Sequence, residues 1–240
     1  MDVALEKKDM GIINDRVAQL RRLSLETKPY ISSERAELLT AFYQTDIPLR
    51  ESAPVTRALA FQYILEHKTI FIGDGELIVG ERGPAPKATP TYPELCCHDL
   101  EDLRILHNRD RTQFLVSDEV RQVYEHTIIP FWSGKTMRDK VFAAMEPAWH
   151  TAFEAGVFTE FMEQRAPGHA VLDDKIYRRG LLDFKRQIRE CRAALDYLND
   201  PRAFDKAEEY KAMEICVDAC IRFGQRHAEL AARMATSVFP

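Results

Sequence analysis

Six apolar residues in the last third of the chain, Leu181, Phe184, Ile188, Cys191, Leu195 and Leu198, advance in steps of 3, 4, 3, 4 and 3 positions. That rhythm is the period of an α-helix and puts all six on one stripe, which a folded chain has to bury against a partner. After Asn199-Asp200-Pro201 the spacing resumes with Tyr210, Met213, Val217, Cys220, Gly224, Ala228, Ala231 and Ala235. Two long helices joined by a short turn are therefore predicted, packed as an antiparallel pair. A chain built from many β-hairpins is disfavoured, since 240 residues contain only 10 glycines to supply tight turns.

Helical spacing marks three earlier segments. Ile12, Ile13, Val17, Leu20 and Leu23 form a first amphipathic helix that stops at Pro29. Ala36, Leu39, Thr40 and Tyr43 follow a capping Ser32-Ser33, and Leu59, Phe61, Tyr63 and Leu65 lie on a helix opening at Pro54. Pro48 and Pro54 bracket a loop. Further helices are predicted from Ser117 to just before Pro130, from Lys135 to Met145, and from Pro147 to Gly156. The character changes at Thr69–Gly80, where two β-branched runs flank Gly73-Asp74-Gly75, and one or two short strands are expected near 69–80. Pro84, Pro86, Pro90 and Pro93 stiffen residues 83–93 into an extended loop, either a packed arm or a linker between domains.

Lys and Arg total 33 against 38 Asp and Glu, and the two signs are interspersed. A net charge of −5 without a basic patch argues against a nucleic-acid partner. No stretch approaches about 18 apolar residues, so no membrane partner is expected, and the charged first eight residues do not read as a signal peptide. A cytoplasmic location with reduced cysteines is expected, the cysteine count of 5 being odd.

Three constellations carry candidate chemistry. Cys96-Cys97-His98, with His107 and His126 beyond, contains metal-ligand types, but adjacent cysteines converge poorly on a tetrahedral ion; partly buried thiols are the competing reading, and no metal is expected. Gly73-Asp74-Gly75 and Gly80-Glu81-Arg82-Gly83 imitate phosphate loops but place acids where an anion would sit, which makes them turns. The segment from Phe158 to His169 interrupts the helical pattern with aromatic, acidic, basic and imidazole groups and a Pro167-Gly168 turn. Phe158 or Phe161 could wall a pocket, Glu163 or Arg165 could hold a charged group, and His169 could transfer a proton near neutrality. A structural ion pair and a hydrogen-bonded turn histidine account for the same residues equally simply. Trp132 and Trp149 read as core or interface aromatics.

Taken in order, Asp74–Glu81, Thr91-Tyr92-Pro93-Glu94-Leu95-Cys96-Cys97-His98, His107-Asn108-Arg109-Asp110, Ile128-Ile129-Pro130-Phe131-Trp132 and Phe158–His169 resemble successive landmarks of glycyl radical enzymes of the pyruvate formate-lyase-like group, nearest its hydroxyproline-dehydrating members. The resemblance runs from about residue 12 to about residue 235. It implies a mainly α chain, the helical N-terminal part of a ten-stranded α/β barrel, with residues 1–240 as one truncated portion of that domain. It implies a glycyl radical installed by a radical-SAM activase, no bound cofactor, and radical cleavage of a carbon–oxygen bond. By the same resemblance Phe161 and His169 inherit substrate-pocket roles. The family's Gly-Cys-x-Glu loop and Arg-Val-x-Gly-Tyr segment have no counterpart in the 240 residues, and Cys96-Cys97 falls in a different landmark from the radical cysteines it imitates. The expected function is thus an N-terminal fragment or split subunit of a dehydratase or lyase, inactive alone, with a second chain, the activase and a second copy of itself as candidate partners. The alternative is a non-enzymatic helical remnant or protein-interaction module.

Overall fold

A computed structural model describes residues 15–76, 78–158 and 173–238. The helices among them are α1 (Asp15–Glu26), α2 (Glu34–Tyr43), α3 (Ile47–Arg50), α4 (Ala53–His67), α5 (Leu100–Asn108), α6 (Asp118–Val123), α7 (Ile129–Trp132), α8 (Met137–Ala144), α9 (Pro147–Glu154), α10 (Leu181–Ala193) and α11 (Ala203–Val238). Two three-residue strands, β1 (Tyr30–Ser32) and β2 (Ala88–Pro90), pair in parallel. The mainly helical class holds, and no helix among the described residues is long and apolar enough to cross a membrane.

The strands do not fall where the β-branched runs are. Between Thr69 and Val79 the described residues form no strand. Carboxylates occupy backbone donors there: Thr69 N–H donates to Glu34 Oε1 at 2.8 Å and Gly73 N–H to Glu76 Oε2 at 3.0 Å. Gly75, at φ +75°, turns the chain where the sequence suggested a turn. The proline-rich stretch is a packed arm rather than a linker. It supplies β2, with Tyr30 opposite Ala88 and Ser32 opposite Pro90. Proline is tolerated there because β2 is an edge strand whose outer side needs no donor. The other side of β1 is closed by Ile31 N–H donating to Leu115 O at 2.8 Å.

Gly83 admits this arrangement by lacking a side chain. A Cβ on it would lie 2.4 Å from Ala88 Cβ and 3.0 Å from Ala88 O. Gly83→Ala is expected to cost about 1–3 kcal/mol by overpacking. Urea unfolding reads the loss, and hydrogen exchange should quicken first at the Tyr30 amide, which donates to Lys87 O. An unchanged midpoint would contradict the close approach.

The main core gathers where α2, α4, α5 and residues 124–132 meet, with Leu39, Phe42, Ile64, Leu103, Tyr124, Ile128 and Trp132 all buried. Leu103 is held by a well-capped α5, in which Asp102 N–H donates to Asp99 Oδ1 at 2.7 Å and Asp99 N–H to Asp102 Oδ2 at 3.2 Å. The helix predicted to stop before Pro130 instead continues through a π-helical turn, Tyr124–Ile128, into α7. Ile129 N–H reaches back five residues to Tyr124 O. The wider turn leaves room for the proline ring, and Pro130 has no N–H to satisfy. Pro48 likewise starts the short helix α3 inside the expected loop.

The terminal pair is antiparallel as predicted. Lys185 Nζ lies 2.6 Å from Asp218 and Arg189 2.6 Å from Glu214, so one helix advances four residues as the other retreats four. Its first member is shorter than the apolar seam, for α10 ends at Ala193. Leu195 lies past it, and Leu198 is 95% exposed, because Asp196 Oδ1 accepts the N–H groups of Leu198 and Asn199 at 3.0 and 3.1 Å. That local turn outcompetes the helix.

A second pairing, between α4 and α11, makes the smaller core of Val55, Ala58 and Ala212. These helices are parallel. Lys211 Nζ meets Glu51 at 2.8 Å and Ser52 Oγ donates to Glu208 at 2.6 Å at one end. At the other end Arg226 donates to Leu65 O and Lys68 O, satisfying the last carbonyls of α4.

Candidate functional site

The residues named from sequence as a substrate pocket, Phe161 and His169, lie outside the described residues, as do Glu163 and Arg165. What is described is the approach to them. Phe158 packs against Trp149 with ring centroids 5.6 Å apart and against Phe153 at 5.7 Å. Phe153 stands edge-on to Phe142 at 5.0 Å, and Arg138 covers Phe142 at 4.4 Å. This α8–α9 cluster fixes where the loop departs. Trp149 is thereby assigned to local packing, though 57% of it stays exposed.

The segment Thr91–His98 is a latch between elements far apart in sequence. Arg35, on α2, donates from Nη1 to Thr91 O at 3.0 Å, and its guanidinium forks onto Glu94 at 2.5 and 3.1 Å. The same guanidinium lies 4.0 Å from the centre of the Tyr92 ring. From the π-turn, Tyr124 Oη donates to Thr91 Oγ1 at 2.6 Å in a buried hydrogen bond. Glu94 O and Leu95 O accept the N–H groups of Met137 and Arg138 at 2.9 and 3.0 Å, which sets the start of α8. Behind it Trp132 Nε1 donates to Thr40 Oγ1 at 2.8 Å, and that hydroxyl donates to Ala36 O at 2.7 Å. Thr40, Thr91, Tyr124 and Trp132 thus each have a partner, the condition under which a polar core rigidifies rather than destabilises.

Beside the latch, a groove of about 440 Å³ runs between α2, α4 and the arm, lined in part by Arg35, Tyr43, Arg57, Lys68, Tyr92 and Glu94. Burial raises the Tyr43 phenol, Glu94 adds to the rise and Arg57 opposes it. Burial lowers Lys68, with Glu34 opposing and Arg226 reinforcing. Lys68 Nζ donates to Arg82 O at 2.7 Å, so it fastens the arm to the end of α4. With Arg35 paired to Glu94 and Lys68 bound to Arg82 O, the polar groups of the groove serve to hold the arm.

The metal-ligand types are used otherwise. Among the described residues no group of three or more His, Cys, Asp or Glu is placed to hold an ion. His107 Nδ1 accepts Val116 N–H at 3.0 Å, His126 Nδ1 lies 2.9 Å from Gln122 O, and Cys97 Sγ donates to His98 O at 3.6 Å. Burial pushes the Cys97 thiol up to about 11, with Asp139, Asp102 and Asp99 adding to it, from an ordinary 9.0. At neutral pH this leaves roughly a hundredfold less thiolate than an open cysteine holds. Cys97 is expected to alkylate far more slowly than the exposed Cys191, at a rate still climbing near pH 11. The folded state holds this proton more tightly, so the stability it contributes is complete below about pH 9 and fades toward about pH 11. Iodoacetamide labelling followed by peptide mass spectrometry measures the rates; equal rates at pH 8 would contradict the burial.

Arg35 and Tyr124 were not singled out by sequence reasoning, and Thr40 was read only as part of a helix face. Arg35 and Glu94 are 59 positions apart, and nothing local marks them as partners.

Comparison with known proteins gives this architecture its context. The family described as pyruvate formate lyase-like matches residues 10–238. The chain is 49% identical to trans-4-hydroxy-L-proline dehydratase of Clostridioides difficile over 92% of its length. The crystal structure of hydroxyproline dehydratase from that organism, with trans-4-hydroxy-L-proline bound, superposes with a TM-score of 0.87 at 47% identity over 94% of the chain. The B12-independent glycerol dehydratase of Clostridium butyricum superposes at 0.85 with 27% identity over 96% of the chain. In each case the chain spans under a third of the relative, 28% of the first two and 29% of the third. With every described element inside the matched range, the chain belongs to the pyruvate formate lyase-like family.

Proposed function

We propose that this chain is the N-terminal portion of a glycyl radical dehydratase that removes water from a hydroxyproline-like substrate, active when joined to the rest of the enzyme on the same or a separate polypeptide. The observation that carries the reading is the 47% identity to a hydroxyproline dehydratase structure, well above the 27% shared with the glycerol dehydratase at a nearly equal TM-score, 0.87 against 0.85. In such an enzyme the radical, installed by a radical-SAM activase, supplies hydrogen-atom abstraction from substrate. This chain's own contribution is positional. The Arg35–Thr91–Glu94 latch sets α8, the α8–α9 aromatic cluster sets Phe158, and Phe161 and His169 follow as pocket wall and proton-handling group.

Surface area supports an open shell. The chain of 27.7 kDa exposes 17440 Å², against about 11,000 Å² for a folded monomer of its mass. The excess is about 6,000 Å². Large apolar side chains share in it, among them Leu182, Leu198 and Phe204. A protein-interaction module would show such a surface too.

The deciding experiment is co-expression with the complementing barrel and the activase, followed by anaerobic electron paramagnetic resonance and hydroxyproline turnover. A glycyl doublet with loss of hydroxyproline is expected. His169→Gln is expected to leave the doublet intact while lowering kcat/KM by at least about 100-fold, a usual size for loss of a general acid–base group. Absence of a doublet after activation would refute the enzymatic reading and favour the interaction module.

A further inference from the structure

Both α4 and α10 pack on α11, one parallel to it and the other antiparallel, and they leave a trough between them. The trough holds about 840 Å³. Its floor is α11 from Glu209 to Val217, its walls are Pro54 and Ala58 of α4 and Phe184 and Ile188 of α10, and Met213 in the floor is 47% exposed. These nine residues of helix floor span about 12 Å, a little over two turns. Ala53, exposed at the start of α4, is small enough to let a backbone approach that wall closely. Three helices with an apolar trough between the outer two form a bundle lacking one member.

We infer that this trough is the slot for a fourth helix, supplied by the part of the glycyl radical enzyme that lies outside this chain. The inference rests on the proposed function, and three observations select that occupant. More than two-thirds of each matched dehydratase lies outside the span this chain covers. The trough is too open and too uniformly apolar for a small polar substrate, which needs convergent polar groups on several sides. Its charges stand at the rims: Arg57 on α4 and Glu209 on α11 make no ion pair with the described residues. The incoming helix therefore carries one apolar stripe, with an acidic residue facing Arg57.

Cys216 lines the slot, and Cys191 lies exposed on α10 outside it, which provides an internal pair of reporters. The test co-expresses this chain with the portion of the C. difficile dehydratase that it does not cover. N-ethylmaleimide labelling of each thiol is then followed by peptide mass spectrometry. At least a tenfold slowing at Cys216 in the complex is expected, with less than twofold change at Cys191, and Arg57→Glu should raise the dissociation constant at least tenfold while Arg57→Lys does not. A complex that forms with Cys216 labelled at the free rate overturns the slot and leaves the proposed function standing. Equal slowing at both thiols shows a cover over the whole face and also overturns it. Slowing that depends on the concentration of this chain alone identifies a second copy as occupant and overturns the assignment. Failure of the two polypeptides to co-elute counts against the proposed function and takes the slot with it.

Discussion

Tyr124→Ala is expected to destabilise the fold by about 3–5 kcal/mol, the usual cost of emptying a large buried site. Tyr124 is fully buried in the main core, on the π-turn that carries the chain past Pro130. Removing its ring opens a cavity beside Ile128 and Leu103, and it also strips Thr91 of its hydrogen-bond donor. Tyr124→Phe separates the two effects, because it keeps the ring and removes only the hydroxyl. Its expected cost is about 1 kcal/mol, the net worth of one hydrogen bond. Urea unfolding monitored by circular dichroism measures both. Against a total stability of about 5–15 kcal/mol, the alanine variant should lose roughly 10 °C of Tm. A phenylalanine variant as damaged as the alanine one would mean that the hydroxyl, rather than packing, holds this region.

Arg35→Ala comes next, at about 2–3 kcal/mol. The pair is partly buried, with Arg35 and Glu94 side chains 21% and 28% exposed, so the figure lies below the 3–5 kcal/mol typical of breaking a fully buried pair. The loss has three parts: the forked contact on Glu94, the bond to Thr91 O and the stacking on Tyr92. Arg35→Lys should recover little, since an ammonium cannot make the forked contact and cover the ring at once. A double-mutant cycle with Glu94→Ala is expected to show coupling of about 1–3 kcal/mol. Strictly additive losses would mean that the latch is an accident of proximity.

What the sequence made legible was periodic or punctuated. Pro54 opens α4, Pro147 opens α9, and the apolar repeats mark α10 and α11, because a helix writes its buried face at a fixed spacing. Features that depend on distant partners were not legible. β1 and β2 are tripeptides 58 positions apart in register, too short to carry an alternating pattern, while the β-branched run at 69–79 looked like a strand and had no partner to pair with. The end of α10 is set by one side chain, Asp196, whose hydrogen bonds compete with helix continuation at a point where the apolar repeat had not yet stopped. For the site, Phe161 and His169 come from family resemblance alone, whereas the latch that steadies their approach draws its members from four separate stretches of chain.

The parallel pairing of α4 with α11 also has a consequence in time. Antiparallel neighbours can close as soon as their connecting turn is made, as α10 and α11 do, but α4 waits for a partner that begins about 135 residues after it ends. At synthesis rates of roughly 5–20 residues per second, the Val55 and Ala58 face stays uncovered for about 10–30 s on the ribosome. During that interval the face is open to aggregation and to capture by chaperones, in addition to the apolar surface that the finished chain keeps exposed.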